Sequence, residues 1–400
     1  MNYKEMWSEV ITASLIIIIS AIAIISFIVI SGQDVDIYNP SDKIEVSKGT
    51  DKISEVLHLL QSKYMGDLDV NSLIDGAIDG IFENIDDPYT RYLTPAEFDE
   101  AVNSGSEEYD GIGIHISLKK DTGKTEIIGV MPDTPAKKAG IKAGDIIVKV
   151  NNITVNKDNY YEASNAIKGE QGTTVKLIVE RNEKQLEFNI KRAKIVSSDI
   201  SSSIIGGNIG YIKIFAFENG VYDDFKKEYL NMVNKQKVKG IIIDLRDNPG
   251  GFVEETVRIA DLLCGSGTII KQEYGDGTTR IYTSDADKSS VPLVVLINEN
   301  SASSSEILAG SIKDLKAGKL VGETTFGKGI MQSYIPLENG GGVAITVAKY
   351  YTASGVEIHG KGIEPDIEKK LGAGQSIDYS ANPNTDAQLN EAVKTLEGMK

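Results

Sequence analysis

Cysteine occurs once in the 400 residues, as Cys264 in "LLCGSG", so no internal disulfide can form and no cysteine metal site is available. That thiol reads as a small buried apolar residue. Histidine occurs three times, at His58, His115 and His359, too thinly for a histidine cluster. No basic cluster interrupts a formal net charge of -16, which excludes a surface built to neutralise nucleic-acid phosphates. Phosphate loops, internal repeats and low-complexity tracts are also missing. What remains is 41% apolar and 25% charged, the balance of an ordinary folded protein, at a length that predicts two or three domains.

Charge is absent from residues 10–33, where "ITASLIIIISAIAIISFIVI" runs for twenty residues. At a rise of ~1.5 Å per residue such a helix reaches ~30 Å, the thickness of a bilayer core. A cleaved signal has a shorter apolar region and a more basic start; here Lys4 competes with Glu5 and Glu9. The expectation is a cytoplasmic 1–9, an uncleaved single-pass anchor over 10–33 and the remaining chain outside the membrane. Residues 34–50 are polar and aperiodic and read as a linker. Over 51–104 the apolar positions Ile53, Val56, Leu57 and Leu60, then Leu73, Ile74, Ala77, Ile78 and Ile81, predict helices. "IDDPYTRYLTPAEFDE" breaks that pattern with proline turns, and His58 reads as a surface or packing residue.

Residues 105–192 change texture to short strands: "DGIGIHISLK", "KTEIIGVM", "DIIVKV", "TTVKLIVER" and "QLEFNIK". "YDGIGI" and "AGIKAGDIIVKVNN" together resemble a PDZ domain. In such a module, glycines let backbone N–H groups converge on a terminal carboxylate, and a strand edge takes the peptide as an added strand. The resemblance implies Gly111, Ile112, Gly113 and Ile114 as the carboxylate loop, and it leaves His115 in a strand with no catalytic claim. "SSDISSSIIGGN" then reads as a linker at the start of residues 193–370. There "IGYIKIFAF", "GIIIDLRDNPGG" and "VPLVVLI" alternate with helical stretches and predict an α/β layered domain. Residues 371–400 form a tail ending in an amphipathic helix.

"NENSASSSEILAGSIKD" joins the apolar strand "VPLVVLI" to a helical pattern through small residues. A serine-rich turn with an N-cap accounts for it; so does one hydroxyl exposed for nucleophilic attack. A nucleophilic serine needs a base and two N–H donors facing the oxyanion. His359 is the only histidine in that domain, and no carboxylate adjoins it in sequence. Lysine is the other candidate, because burial disfavours its ammonium. In "TTFGKGIMQSYIP", Lys328 lies between two glycines, with Glu323 the nearest carboxylate and Gln332 placed to accept from the amine if both share a strand face. "DLRDNPGG" ends a buried strand in a turn whose glycines could present a backbone N–H, while Asp244 and Arg246 read as partners holding that turn.

"IDDPYTRYL", the PDZ stretch, "DLRDNPGG", "SASSSE", "VGETTFGKGIMQ" and "GKGIEPDI", in this order, resemble the carboxyl-terminal processing peptidases, the tail-specific Ser-Lys proteases. The resemblance implies a multidomain α/β fold. It comprises a ClpP/crotonase-like protease domain with an inserted β-rich PDZ domain, an N-terminal helical segment and a single transmembrane helix. It implies Ser303 as nucleophile, Lys328 as base and Gln332 as its support. The oxyanion donors would be the Ser304 N–H and that of Gly250 or Gly251. Here Ser304 replaces the family's usual alanine, a mild change because only its backbone is used. Ser301, Ser305, Glu306 and Asp314 read as structural. No metal or other cofactor is implied. The implied partners are proteins or peptides with free C-termini and the membrane, with a homo-oligomer or an adaptor protein left open. A membrane-tethered PDZ peptide-binding protein with an inactive protease domain is the alternative. "SLKK" (117–120) also has the Ser-x-x-Lys spacing of penicillin-interacting acylases, but lies in the PDZ-like strand.

Overall fold

The computed structural model describes residues 40–399, apart from 104–107, 120–121, 158, 197–198, 286, 339, 373–376 and 380. The anchor expected over 10–33 lies outside the described residues; among those, no helix is long and apolar enough to cross a membrane. Two units make up the chain, divided after Ile78. The first holds the helix Pro40–Lys63 and most of the helix Val70–Phe82. Residues 40–50, read above as linker, therefore belong to a helix. Pro40 opens it at the position where a missing N–H costs nothing, and the lack of an apolar stripe hid it from periodicity.

The second unit is built on a six-stranded sheet in the order Ile200–Ile205, Ile209–Ile214, Gly240–Asp244, Leu293–Ile297, Lys319–Gly322, Ile367–Glu368. The last five run parallel and the first is an antiparallel edge. The "linker" stretch before Ile209 thus contributes a strand; its serines face outward, so no apolar alternation marked it. Both sheet faces are covered, which explains the unbroken apolar runs. Leu293, Val295 and Ile297 pack beneath the helices Val253–Cys264 and Ser304–Asp314, while Val294 and Leu296 pack against Leu389, Ala392 and Leu396 of the C-terminal helix. A second, antiparallel sheet forms around the long strand Gly342–Thr352, which pairs with Arg91–Leu93, Gly267–Tyr274 and Ile330–Pro336.

A separate sheet with its own core, including Ile127, Ile147, Val175, Leu177 and Ile190, forms the module over residues 111–191. The chain enters it by Glu108–Gly111 and leaves by Ala193–Val196, and these two segments pair antiparallel. The module is therefore an insertion whose two ends are zipped together.

The core also contains charge. Arg246 is completely buried; its guanidinium bonds both carboxylate oxygens of Asp244 and reaches Asp386 and Gln388 at the start of the C-terminal helix. Burial pushes the Asp244 carboxyl up, but the Arg246 and Lys213 charges more than offset this and hold it at about 2. A depressed carboxyl contributes stability that is complete above its unfolded pKa of about 4 and is lost as the pH falls toward the folded value. Arg246→Met leaves buried Asp386 without its cation and Asp244 with only the more distant Lys213, and should cost ~3–5 kcal/mol. Urea unfolding at neutral pH checks this; an unchanged midpoint would contradict it.

Candidate active site

Three neighbouring parallel strands deliver three loops to one end of the central sheet, the carboxyl end where α/β folds place their sites. Gly240–Asp244 leads into residues 245–251, Leu293–Ile297 into 298–303, and Lys319–Gly322 into 323–329. The serine-rich stretch holds the first two loops together. Ser301 Oγ donates to Leu245 O at 2.8 Å, Ser305 Oγ to Asn248 O at 3.0 Å, and Ser304 Oγ to Gly251 O at 2.8 Å. The Ala302 N–H adds a bond to Asn248 O. Three of the four clustered hydroxyls thus donate to carbonyls of the turn, and Ser304 Oγ is the only hydrogen-bond donor to Gly251 O among the described residues.

Ser303 is different. It alone among residues 301–310 is not fully buried. Its backbone, at φ 55° and ψ −116°, lies where a side chain costs ~1–3 kcal/mol. Such a strand-to-helix turn aims a hydroxyl outward. The turn packs so closely that a Cβ on Gly250 would lie 2.8 Å from Ser303 Cβ and 3.0 Å from Ser304 N.

Glu306, one turn into the helix, fixes the relation of Ser303 to Lys328. Its carboxylate is buried and accepts from four donors: Ser303 N at 2.9 Å, Lys328 N at 2.8 Å, Gly327 N at 2.7 Å and Thr325 Oγ1. Ser303 N and Lys328 N share a single oxygen, so the two backbones lie within two hydrogen-bond lengths of each other. Burial pushes the Glu306 carboxyl above its ordinary value, against the pull of the four donors. The Lys328 segment is fixed from its other side as well. Gly327 O accepts from Gly360 N, and Gly329 lies so close to residues 358–359 that a Cβ there would meet His359 N at 2.3 Å.

Among the described residues the Lys328 ammonium has no carboxylate partner. Burial pushes its pKa down. It stands 5.0 Å from the centroid of the Tyr89 ring, a cation–π contact that favours the charged form and so limits the shift. Tyr89 comes from "DDPYTRYL", docked by Thr90 Oγ1, which accepts from Thr346 N and donates to Asp87. No hydrogen bond joins Lys328 Nζ to Ser303 Oγ. Gln332 Nε2 donates to Thr346 Oγ1 at 3.4 Å and makes no bond to Lys328: the strand starts at Ile330, so the two do not share a strand face, and its register shifts beside Gln332.

The two glycines of the turn are not equivalent. Gly250 N–H donates to Asn248 Oδ1, whereas Gly251 N–H and Ser304 N–H have no acceptor among the described residues. His359 lies edge-on to Tyr89, 6.2 Å between centroids; its Nδ1 is unpartnered and nothing joins it to Ser303. His58 lies in the first helix, and His115 stacks on Phe215. Asp314 accepts from Ser354 N. The residues missed in the sequence are Tyr89 and the clamp made by Glu306. The order "SE" of a helix start hinted at the second; nothing local pointed to the first.

In the inserted module, Ile112, Gly113 and Ile114 line a cavity of ≈ 70 Å³ with Ile116, Ile167 and Lys168. Gly111 ends the entering strand beside it. A much larger cleft of ≈ 1110 Å³ lies between the module and the α/β domain but touches neither Ser303 nor Lys328, so its size says nothing about the chemistry.

Comparison with known proteins gives the class: a serine-type peptidase carrying an inserted PDZ domain. The model of peptidase family S41 matches residues 208–369, a PDZ domain model matches 111–191, and the model of the activating protease CtpB N-terminal domain matches 30–96. The carboxy-terminal processing protease CtpA of Bacillus subtilis (strain 168) is 36% identical over 343 residues, 84% of this chain and 71% of that protein. A probable CtpA-like serine protease of Staphylococcus aureus (strain MSSA476) is 34% identical, covering 92% of this chain and 74% of its own. Among solved structures, a photosystem II D1 C-terminal processing protease superposes with a TM-score of 0.58 at 30% identity, over 77% of this chain and 84% of that one. The chain belongs to peptidase family S41, as a carboxy-terminal processing protease.

The shared oxygen on Glu306 makes a direct prediction. Glu306→Gln keeps the shape but offers one acceptor and turns an NH₂ toward N–H donors. Labelling of Ser303 by a fluorophosphonate should slow about a hundredfold, and unfolding should become easier by about 2 kcal/mol. Wild-type labelling in a folded Glu306→Gln protein would refute the clamp.

Proposed function

We propose that Ser303 is the nucleophile, that neutral Lys328 is its base, and that the N–H groups of Ser304 and Gly251 form the oxyanion hole. The observation that carries this reading is the Glu306 carboxylate, which binds the backbones of a half-buried, strained serine and a half-buried lysine that has no carboxylate partner among the described residues. Lys328 Nζ takes the Oγ proton as Oγ attacks the scissile carbonyl carbon. Charge on the carbonyl oxygen is met by the two free N–H donors, which cost no reorganisation. As the C–N bond breaks, the ammonium returns its proton to the leaving amine. Water then attacks the acyl-enzyme with Lys328 again as base, releasing Ser303. The lysine stem's rotatable bonds allow Nζ to approach Oγ when substrate is in place. Of the turn's two glycines, Gly250 is disfavoured as donor because Asn248 holds its N–H. Gln332, four residues past Lys328, orients the amine once Nζ moves toward Oγ.

Delivery of substrate falls to the PDZ domain. The Gly111–Ile114 loop receives a free terminal carboxylate, and the small apolar cavity beside it takes the last side chain. The twenty-residue apolar run in residues 10–33 anchors the chain, with the catalytic domain outside the cytoplasm. Protease shaving of intact cells should then remove the catalytic domain; protection equal to that of a cytosolic marker would contradict that placement.

Ser303→Ala and Lys328→Ala should abolish cleavage of a peptide with a free C-terminus while its binding persists; full turnover in either variant overturns the assignment. Because the base must be neutral and burial lowers its pKa, kcat should rise with pH to a plateau whose midpoint lies below the ordinary lysine value. A midpoint at or above that value would exclude Lys328 as base.

A further inference from the structure

The chemistry proposed above leaves one buried carboxylate without a task. Asp247 stands at the head of the 247–251 turn with φ 60°, is almost wholly buried, and receives bonds from three directions. Asn298 Nδ2 and Asn300 Nδ2, from the loop leading to Ser303, donate to one of its oxygens at 3.0 and 2.8 Å. Tyr379 Oη, from the C-terminal segment, donates to the other at 2.7 Å. The fourth donor comes from a different domain: Lys119 Nζ, just past the PDZ strand Ile114–Leu118, reaches the same oxygen at 2.5 Å. Lys119 is itself mostly buried at this contact and also touches Tyr379 Oη and Glu126 within its own module.

The geometry of Asp247 joins the two loops that carry the proposed oxyanion donors. Its backbone N–H donates to Asn298 Oδ1, and its side chain binds the same loop. Four residues on is Gly251, and three and four residues past Asn300 are Ser303 and the Ser304 N–H. A cation seated on this carboxylate neutralises a charge that burial would otherwise make unfavourable, with Lys213 as the remaining nearby cation.

We propose that Lys119 is a positioning residue for peptide-bond hydrolysis. Carried by the PDZ domain and paired with Asp247, it holds the 247–251 turn and the 298–300 loop at the spacing the oxyanion donors require. The inference rests on Ser303 as nucleophile with donors at Gly251 and Ser304.

The test uses the full chain and a peptide with a free C-terminus, with folded active sites counted by fluorophosphonate labelling. Lys119→Met should lower kcat by about ten- to a hundredfold, the effect of a small misplacement of catalytic groups. KM and peptide binding at the PDZ groove should stay at wild-type values, a split that mere loss of folded protein would not produce. Glu126→Gln removes only the partner inside the PDZ domain and should keep the wild-type kcat. Wild-type kcat in Lys119→Met, or an equal loss in Glu126→Gln, overturns the proposal. Should Lys119→Met fail to fold, Lys119→Gln is read by the same criteria. An inactive, unlabelled wild-type protein would instead remove the Ser303 assignment and this inference with it, whereas an active wild type with a fast Lys119→Met removes the inference alone.

Discussion

A buried carboxylate near the start of a helix is the constraint on which the site depends. Glu306 lies where the helix N-terminus favours negative charge, and its four donors come from the serine turn and from residues 325–328. Removing a carboxylate from water costs several kcal/mol, and hydrogen bonds to a charged group return ~1.5–3 kcal/mol each. Even with all four donors in place burial holds the carboxyl above its ordinary value, so the loss of any donor is felt in full. Ser303 and Lys328 therefore cannot drift apart without leaving a buried charge under-bonded.

The same logic explains the composition of the serine stretch. A turn such as 245–251, ending in Pro-Gly-Gly, buries several carbonyls with no strand partner. Ser301, Ser304 and Ser305 supply donors small enough to fit beneath it. Larger polar residues would separate the loops, and alanine at 304 would leave Gly251 O without its donor. Gly250 carries the complementary requirement, since any Cβ there collides with Ser303. Seen this way, a sequence rich in capping residues encodes the contact between two loops, with one hydroxyl left facing outward.

Much of this was legible in the sequence, for physical reasons that differ by residue. The strands "GIIID" and "LVVLI" are continuous because both sheet faces are covered, and the motifs after them mark their carboxyl ends. Ser303 and Lys328 stood out as a serine among small residues and a lysine between glycines. Tyr89 did not, since it reaches Lys328 across 239 positions of chain, and a tyrosine beside a proline looks like any turn. Glu306 read as structural because its acceptors' partners lie on another strand's loop. The bond that sets Gly250 apart from Gly251 comes from Asn248, whose side chain reaches two residues ahead, a local motif that sequence shows only as an Asn before Pro-Gly. The strand Ile200–Ile205 was hidden because an edge strand facing solvent has no apolar alternation to display.

The PDZ domain is held by two kinds of attachment with different strengths. Its ends pair as the short ribbon Glu108–Gly111 with Ala193–Val196, a backbone contact that any rigid swing can preserve. Its far contacts are side-chain ones: Lys119 on Asp247, and His115 stacked on Phe215 with centroids 4.2 Å apart. Hydrogen bonds along the ribbon must break together, whereas an ion pair and a ring stack can be broken one at a time. The Lys119 contact meets the α/β domain at the turn that packs on Ser303. One lysine and one carboxylate thus join two segments more than a hundred residues apart in sequence.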